Sequence, residues 1–511
     1  MTQKGAGRNT PGVDMLVVKT PKARGELVDN IRSYQPWKAK PARRVYIPKG
    51  PKGGGKKRPL GIPTIHDRVM QAIVKNALEP YWEARFEPAS YGFRPGRGCH
   101  DAIAKIFNIA RPNKHKKWVL DADIEGAFDS ISHERVLEVI GPFPARELIR
   151  RWLKAGYVQM GTLHPTKAGA PQGGVISPLL MNTALHGMES ALGVRYEKRG
   201  QIQGSRALLR YADDWVLFCE SEEDAQGARL QAKEWLLKRG LSLSEEKTQI
   251  VHLTEGFNVR HYPAPKTARS GYKLLIKPSK ESVRNFKQRV RLEWMDLKGH
   301  NVMEVLKRLN PIVRGWANYF RIGVSKRTFE ALDHWMFVRC ARHVRSNHPR
   351  KGWRWCRSKY WGHLNPERAD RWVFGDKGTG AYLLKLSWTP IRRHLLVKGA
   401  SSAEDPELQG YWIERERRKL EEGLLPPRLI GLARAQRGLC SHCGASLSNG
   451  EALNRHHLLP KREGGTDERS NLRLLHLYCH QRIHTVAPAR KPSDAEATRL
   501  SRVRGNPQAR F

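Results

Sequence analysis

Two adjacent aspartates, Asp213 and Asp214, interrupt the apolar stretch Leu208-Leu209-Arg210-Tyr211-Ala212-Asp213-Asp214-Trp215-Val216-Leu217-Phe218. The flanking runs are rich in branched and aromatic residues, which strands favour, so the stretch predicts a β-hairpin with the acid pair at its turn. Neighbouring carboxylates repel, and a chain keeps them at the end of a buried hairpin mainly when a divalent cation neutralises them; hard oxygen ligands suit Mg²⁺. An isolated Asp-Asp pair is more often a polar turn. Here, however, a second short apolar run upstream, Trp118-Val119-Leu120-Asp121-Ala122-Asp123, also ends on a carboxylate and then turns into a helix-like segment through Asp129. Asp123 is the candidate third carboxylate. Three carboxylates from two strands can hold two Mg²⁺ ions ~3.5–4 Å apart, the arrangement that activates an attacking hydroxyl and stabilises leaving pyrophosphate.

The 511-residue chain has room for several domains and, at 39% hydrophobic residues, a large core. Its 92 lysines and arginines against 49 acidic residues leave a formal charge of +43, far more than solubility requires. A polyanion is the simplest partner for such a surface. A membrane-binding face is the alternative, but the basic residues run through nearly the whole chain instead of forming one juxtamembrane cluster. Of seven cysteines, Cys99, Cys219, Cys340 and Cys356 are scattered, as in a reducing compartment. No apolar run approaches the ~20 residues of a membrane span, and the first residues lack the apolar core of a secretory signal. The expectation is a soluble, intracellular protein without a membrane partner.

Around Arg43–Gly50 and Lys56–Thr64, two short strands flank a glycine-rich basic turn, a hairpin able to close on phosphates; a solvated basic loop is the plain alternative. A helix is predicted over Asp67–Leu78, followed by a second Gly/Arg loop, Tyr91–Gly98. Gln172-Gly173-Gly174 is a turn whose glycines allow close backbone approach to a ligand, and an apolar helix restarts at Ser177. A helix over Glu223–Arg239 and a strand over Glu246–Leu253 complete this part. Beyond residue 275 the periodicity changes: Val283, Phe286, Val290, Trp294 and Leu297, then Val302, Val305, Leu306, Leu309, Val313, Trp316 and Phe320, recur at helical steps. A third helix is predicted from Ser325 to Arg345. All three carry basic outer faces suited to duplex phosphates or a structured RNA. The region 375–430 reads as a linker with DNA-binding character, including a charged helix over Glu404–Arg418.

Near the C-terminus, Cys440-x-x-Cys443 and His476-x-x-Cys479 have a spacing that suits a tetrahedral structural Zn²⁺. His480 and His484, four apart on a predicted helix, share one face and could hold a divalent ion with His456. His457 is then left to take a proton from water, a task its natural pKa near ~6.5 suits. The alternative is a zinc-stabilised DNA-binding knuckle that does not cleave.

Three motifs occur in the order found in reverse transcriptase palms. They are Asp123-Ile124 with Phe128-Asp129, then Ala170-Pro171-Gln172-Gly173-Gly174-Val175-Ile176-Ser177-Pro178-Leu179-Leu180, then Tyr211-Ala212-Asp213-Asp214, and they most closely resemble the group II intron type. Leu309-Asn310-Pro311-Ile312-Val313-Arg314-Gly315-Trp316-Ala317-Asn318-Tyr319-Phe320-Arg321 resembles the maturase (X) domain of the same family. The Cys/His segment resembles the ββα-metal, or HNH, endonuclease. The resemblance covers nearly the whole chain and implies an α+β, multidomain protein: right-hand polymerase fingers and palm, helical thumb (maturase X domain), and a small ββα-metal HNH domain. The expected boundaries are 1–40 for an N-terminal extension, 41–255 for fingers and palm, 256–374 for thumb, 375–430 for the linker, 431–488 for HNH and 489–511 for a basic tail.

By this resemblance Asp123, Asp213 and Asp214 hold two Mg²⁺ ions, Arg58 and Lys57 contact the incoming triphosphate, and Gln172 and Gly173 meet primer or template. Phe128, five residues after Asp123, lies under the sugar and disfavours a ribose 2′-hydroxyl; a core phenylalanine is the structural alternative. In the endonuclease, His457 is the general base, Asn471 orients it or the metal, and His456, His480 and His484 lie near the catalytic ion. The zinc ligands are Cys440, Cys443, His476 and Cys479, with His476 where many relatives have cysteine. The run Gly256-Phe257-Asn258-Val259-Arg260 replaces the family's usual apolar-Leu-Gly run, and the helical segment that usually precedes Lys4–Asp14 is missing, because the chain is short or because its start lies upstream. Implied partners are a group II intron RNA, target DNA and deoxynucleoside triphosphates, in the cytoplasm of a bacterium and near its nucleoid. Two other readings stand beside this one: a splicing-only maturase with an idle polymerase, and a host-adopted reverse transcriptase for defence or repair.

Overall fold

The computed structural model describes residues 6–33, 38–48, 57–197, 202–255, 259–263, 272–421, 427–445, 447, 453–476, 479–480 and 483. They fall into two compact units: residues 1–18 with 34–406, and residues 19–33 with 407–511. The N-terminal forty residues, expected to act as one extension, are thus divided between the two.

The first unit is organised on a four-stranded antiparallel sheet in the order Gln249–His252, Trp118–Asp123, Asp214–Cys219, Ala207–Tyr211. Alternation of side chains gives it two apolar faces. Leu120, Ala122, Leu208, Trp215 and Leu217 enter one core, together with Ala225, Ala228, Ala232 and Leu236 of helix Glu222–Leu237 and Leu179, Leu180 and Met181 of helix Ser177–Ala184. Val119, Ala207, Leu209, Val216 and Phe218 enter the other, under Ala102, Ile106 and Ile109 of helix Cys99–Ile109. A sheet covered on both faces needs near-continuous apolar strands, which explains why the hairpin is so hydrophobic around its two acids.

A second four-stranded sheet has the order Lys57–Ile62, Ala42–Pro48, Tyr157–Gln159, Thr162–His164. The predicted basic hairpin therefore forms, with Arg58 opposite Ile47 and Lys57 opposite Pro48; its turn lies outside the described residues. The helix expected at Asp67–Leu78 runs from Ile65 to Glu83, with Thr64 capping it through the Asp67 N–H.

Helices Lys280–Asp296, Val302–Phe320 and Lys326–Asn347 pack a separate core from Phe286, Val290, Trp294, Leu309 and Val313, periodic residues of the sequence, with Phe329, Leu332 and Met336 of the third helix. Pro311 sits inside the middle helix. Beside it the Asn310 amide accepts from the Leu384 N–H at 2.9 Å and donates to the Tyr382 carbonyl at 3.0 Å, tying the helix to the chain that follows.

In the second unit, helices Gln409–Glu421 and Pro427–Ala435 accompany an antiparallel hairpin of Leu453–His457 and Leu472–His476. The charged helix expected over Glu404–Arg418 thus starts and ends a few residues later. Leu432, Ala433, Cys440, Leu447, Leu472, Leu474 and Leu475 form this unit's core.

Candidate active sites and metal centre

Strand register decides the first site. Asp123 lies directly opposite Asp214 on neighbouring strands, and Tyr211 lies opposite Asp214 on the other side. Ala212 and Asp213 are left as a two-residue turn, with Ala212 in the left-handed region at φ 59°. All three carboxylates therefore gather at one end of the sheet. Burial and the negative charges of Asp213 and Asp123 push the Asp214 carboxyl up to about 6, and burial with the Asp123 charge raises Asp213. The Lys247 ammonium pairs with Asp123 and its own pKa is raised by that bond. The positive charge of Arg58 is felt at Asp213 and opposes the rise there. Closely set carboxylate oxygens that repel one another are a set that a hard divalent cation satisfies.

The turn is held from behind by a chain of hydrogen bonds that the sequence did not announce. Fully buried Arg210 donates to Asn182 Oδ1 at 3.0 Å and to the Ala212 carbonyl at 3.3 Å. Asn182 Nδ2 in turn donates to the Gly92 carbonyl at 2.8 Å. Gly92 lies so close to the turn that a Cβ there would come within 2.3 Å of the Ala212 nitrogen. Only glycine fits at this crossing, which gives the Tyr91–Gly98 loop its place against the acids.

Further back, Glu87 and Glu189 share a buried pocket with Arg210, His186 and Tyr196. Burial, then the Glu87 charge, raises the Glu189 carboxyl from 4.5 to about 8. A carboxyl raised on folding stabilises the fold while it stays protonated, and that contribution is lost as pH climbs from about 4.5 to about 8. Glu189→Gln has no such titration, so its melting temperature should gain on the wild type's through this window. Equal pH dependence of the two melting curves would show that Glu189 is ionised in the fold.

The Gln172 turn meets the fingers hairpin: the Gln172 carbonyl accepts from the Gly61 N–H at 2.8 Å. Gly173 has φ 121°, and a Cβ on it would stand 2.8 Å from the Gly61 carbonyl oxygen. The close approach that demands glycine is thus to a neighbouring strand, whereas a ligand was the sequence expectation. Phe128 follows on the short helix Ala127–Ser130, half-buried, with the Phe93 ring edge-on at 6.1 Å. Lys57 and Arg58 are exposed at the start of their strand.

In the second unit the ligand atoms of Cys440, Cys443, His476 and Cys479 all lie within 4.8 Å of one another. His476 Nδ1 is 3.3 Å from the Cys443 sulfur and 3.9 Å from that of Cys479. Burial alone would raise Cys440, but the backbone N–H groups of Cys443, His476 and His442 outweigh it and lower its pKa, favouring the thiolate. Three sulfurs and an imidazole nitrogen so arranged are a donor set that can hold zinc.

The ring of His456, on the hairpin, meets that of His480, beyond it, at 5.5 Å, while His484 lies outside the described residues. His457 Nε2 bonds Asp467 Oδ1 at 2.8 Å, and Asp467 also pairs with Lys461 at 2.5 Å; these contacts hold the Asp467 carboxylate down to about 2. The Asn471 side chain is bonded to the loop backbone. Its amide accepts from the Leu459 N–H at 2.7 Å and donates to the Leu459 and Thr466 carbonyls, closing the loop that carries Asp467. Sequence reasoning missed Lys247, Asn182 and Asp467.

A palm sheet with three clustered carboxylates, followed by a helical domain and a β-hairpin beside a Cys/His cluster that could hold a metal, is the arrangement of a template-copying polymerase joined to a nuclease module. Family profiles agree: residues 47–289 match reverse transcriptase (RNA-dependent DNA polymerase), 283–361 match the group II intron maturase-specific domain, and 440–485 match HNH endonuclease. Protein YkfC of Escherichia coli is 33% identical over 329 residues, 56% of this chain and 84% of that one. The group II intron-encoded protein LtrA of Lactococcus lactis is 29% identical over 395 residues, 60% of this chain and 65% of that one. An uncharacterised 91 kDa protein in a cob intron of Schizosaccharomyces pombe is 27% identical over 383 residues, 59% of this chain and 46% of that one. The chain belongs to the group II intron-encoded proteins, with reverse transcriptase, maturase and HNH endonuclease domains. No helix among the described residues is long and apolar enough to cross a membrane.

Proposed function

We propose that the chain copies RNA into DNA at Asp123, Asp213 and Asp214, binds the intron RNA that encodes it to aid splicing, and nicks target DNA through the HNH site so that the nicked 3′ end primes synthesis. The observation that carries this reading is the register that sets Asp123 against Asp214 beside the Asp213 turn. The three carboxylates would hold two Mg²⁺ ions, which supply activation of the primer 3′-hydroxyl and charge stabilisation at the phosphates. Arg58 and Lys57 offer cations to the triphosphate of a deoxynucleotide from the fingers strand. Lys247 pairs with Asp123 and brings a further positive charge to the place where negative charge develops. Phe128 lies beneath the sugar, and Gln172 with Gly173 fixes the fingers strand against the palm.

In the second unit, Cys440, Cys443, His476 and Cys479 would hold a structural Zn²⁺, and His456, His480 and His484 a divalent ion near the scissile phosphate. His457 removes the proton from the attacking water, oriented by Asp467, while Asn471 fixes the loop between the strands. The cytoplasm, near the nucleoid, is the compartment where RNA and DNA targets meet.

The basic helices support the RNA-binding part. Lys287, Arg291 and Arg339 gather around the Trp335 ring at 5.7, 5.9 and 5.9 Å. Burial, with the charges of Arg342 and Arg291, lowers the Arg339 pKa, so an anion arriving there relieves repulsion. RNA affinity should therefore fall by roughly 10³–10⁵ between about 50 and 200 mM salt, as release of counterions from six to ten phosphates requires; a flat salt response in a binding titration would refute this surface. The polymerase reading is tested by extension of a DNA primer on an RNA template with Mg²⁺ and deoxynucleotides.

A further inference from the structure

Phe93 is a bulky aromatic residue with φ 60°, a left-handed backbone that side chains other than glycine, asparagine and aspartate rarely tolerate. The residue is 51% exposed, so burial does not explain why phenylalanine stands there. The residues on either side are locked. Gly92 is pinned against the catalytic turn by its contact with Ala212 and by the Asn182 amide. Arg94 is buried, paired with Glu83 at 2.9 Å, and donates to the Glu87 and Ser90 carbonyls at 2.8 and 3.0 Å. Strain of this kind persists where the surroundings over-determine it, and it gathers at functional positions. What the strained backbone achieves is the placement of one ring: Phe93 meets Phe128 edge-on, with centroids 6.1 Å apart and planes at 81°.

We infer that Phe93 is a positioning residue for sugar selection: its ring props Phe128, and the Arg210–Asn182–Gly92 chain sets that prop in a fixed relation to Asp213 and Asp214. The inference rests on the reading of Phe128 as the surface beneath the incoming sugar. Phe128 is a half-buried side chain on a one-turn helix, packed against the palm core on one side but with an edge left to yield to a 2′-hydroxyl. A second ring against its edge removes that freedom. Because the prop is anchored to the turn that carries the acids, a sugar that displaces Phe128 also disturbs the reacting centre.

The test is single-nucleotide incorporation opposite a template cytosine, with kcat/KM measured for deoxyguanosine and guanosine triphosphate, so that a general loss of activity cancels in the ratio. Phe93→Ala should lower the preference for the deoxynucleotide by about 2- to 10-fold, the worth of an edge-to-face aromatic pair. Phe93→Tyr, which keeps the ring, should restore the wild-type preference. Combined with Phe128→Ala, the Phe93 change should add nothing further. Phe93→Leu, which keeps bulk without an aromatic edge, serves in its place if the alanine variant does not fold. Selectivity lost in Phe128→Ala but kept in Phe93→Ala and Phe93→Leu, or effects that simply add in the double variant, would overturn the inference and leave the gate reading standing. Selectivity kept in Phe128→Ala would overturn the gate reading itself, and the inference with it.

Discussion

Asp213→Asn is expected to reduce DNA synthesis by roughly 10³-fold or more while RNA binding stays at the wild-type level. The substitution keeps the shape of the turn and removes one negative charge from a set in which Asp213 and Asp214 are both raised by neighbouring carboxylates. A cation held there contributes several kcal/mol of transition-state stabilisation, and each ~1.4 kcal/mol lost is a tenfold fall in rate. The fold should not suffer: Asp213 is one of the charges that raise Asp214, so its removal eases repulsion instead of leaving a buried group without a partner. RNA binding is proposed on the basic helices beyond residue 280, whose core is separate from that of the palm. Primer extension and RNA binding measured on the same preparation check both halves. Synthesis that survives would remove Asp213 from the site, and RNA binding lost along with synthesis would sink the separation of roles.

His457→Ala should lower nicking of duplex DNA by roughly 10²–10⁴-fold, the usual worth of a general base, with primer extension retained. His457 and Asp467 share a 2.8 Å bond on a hairpin whose core is built from Leu432, Leu472, Leu474 and Leu475. When the imidazole goes, Lys461 still neutralises Asp467, so the loop keeps its ion pair and Asn471 keeps its three backbone bonds. The loss therefore falls on proton removal and not on the hairpin. Nicking that persists in this variant would show the base to be another residue, and loss of both activities would point to unfolding.

The two acidic hairpin elements were readable because their signals are local. A strand announces itself within six residues through its branched and aromatic side chains, and a two-residue turn through what lies between two such runs; Ala207–Tyr211 and Asp214–Cys219 formed within a residue of expectation. The helices of the thumb were readable for the same reason, since Val290, Trp294 and Leu297 mark one face by spacing alone. The Cys440–Cys443 and His476–Cys479 pairs carried their chemistry in residue type and interval, and the structure gathers all four.

The partners that complete each site were decided by the tertiary structure. Lys247 reaches Asp123 across 124 residues of sequence and Asn182 reaches Gly92 across 90, separations over which no periodicity or spacing carries information. Gly173 looked like a place for a ligand to approach because a glycine's freedom is visible in sequence while the identity of its neighbour is not; that neighbour is Gly61. Asn471 was expected to orient the base or the metal; its side chain bonds Leu459 and Thr466, and the His457 imidazole meets Asp467, because a short loop brings a residue ten positions away onto it. Sequence by itself determined which residue types this protein would deliver to the ends of which strands and helices, since those choices rest on local propensity and period. Only the tertiary structure determined who faces whom, because hydrogen bonds, ion pairs and mutual repulsion depend on separations of a few ångströms that distant segments acquire when the sheet registers and the cores close.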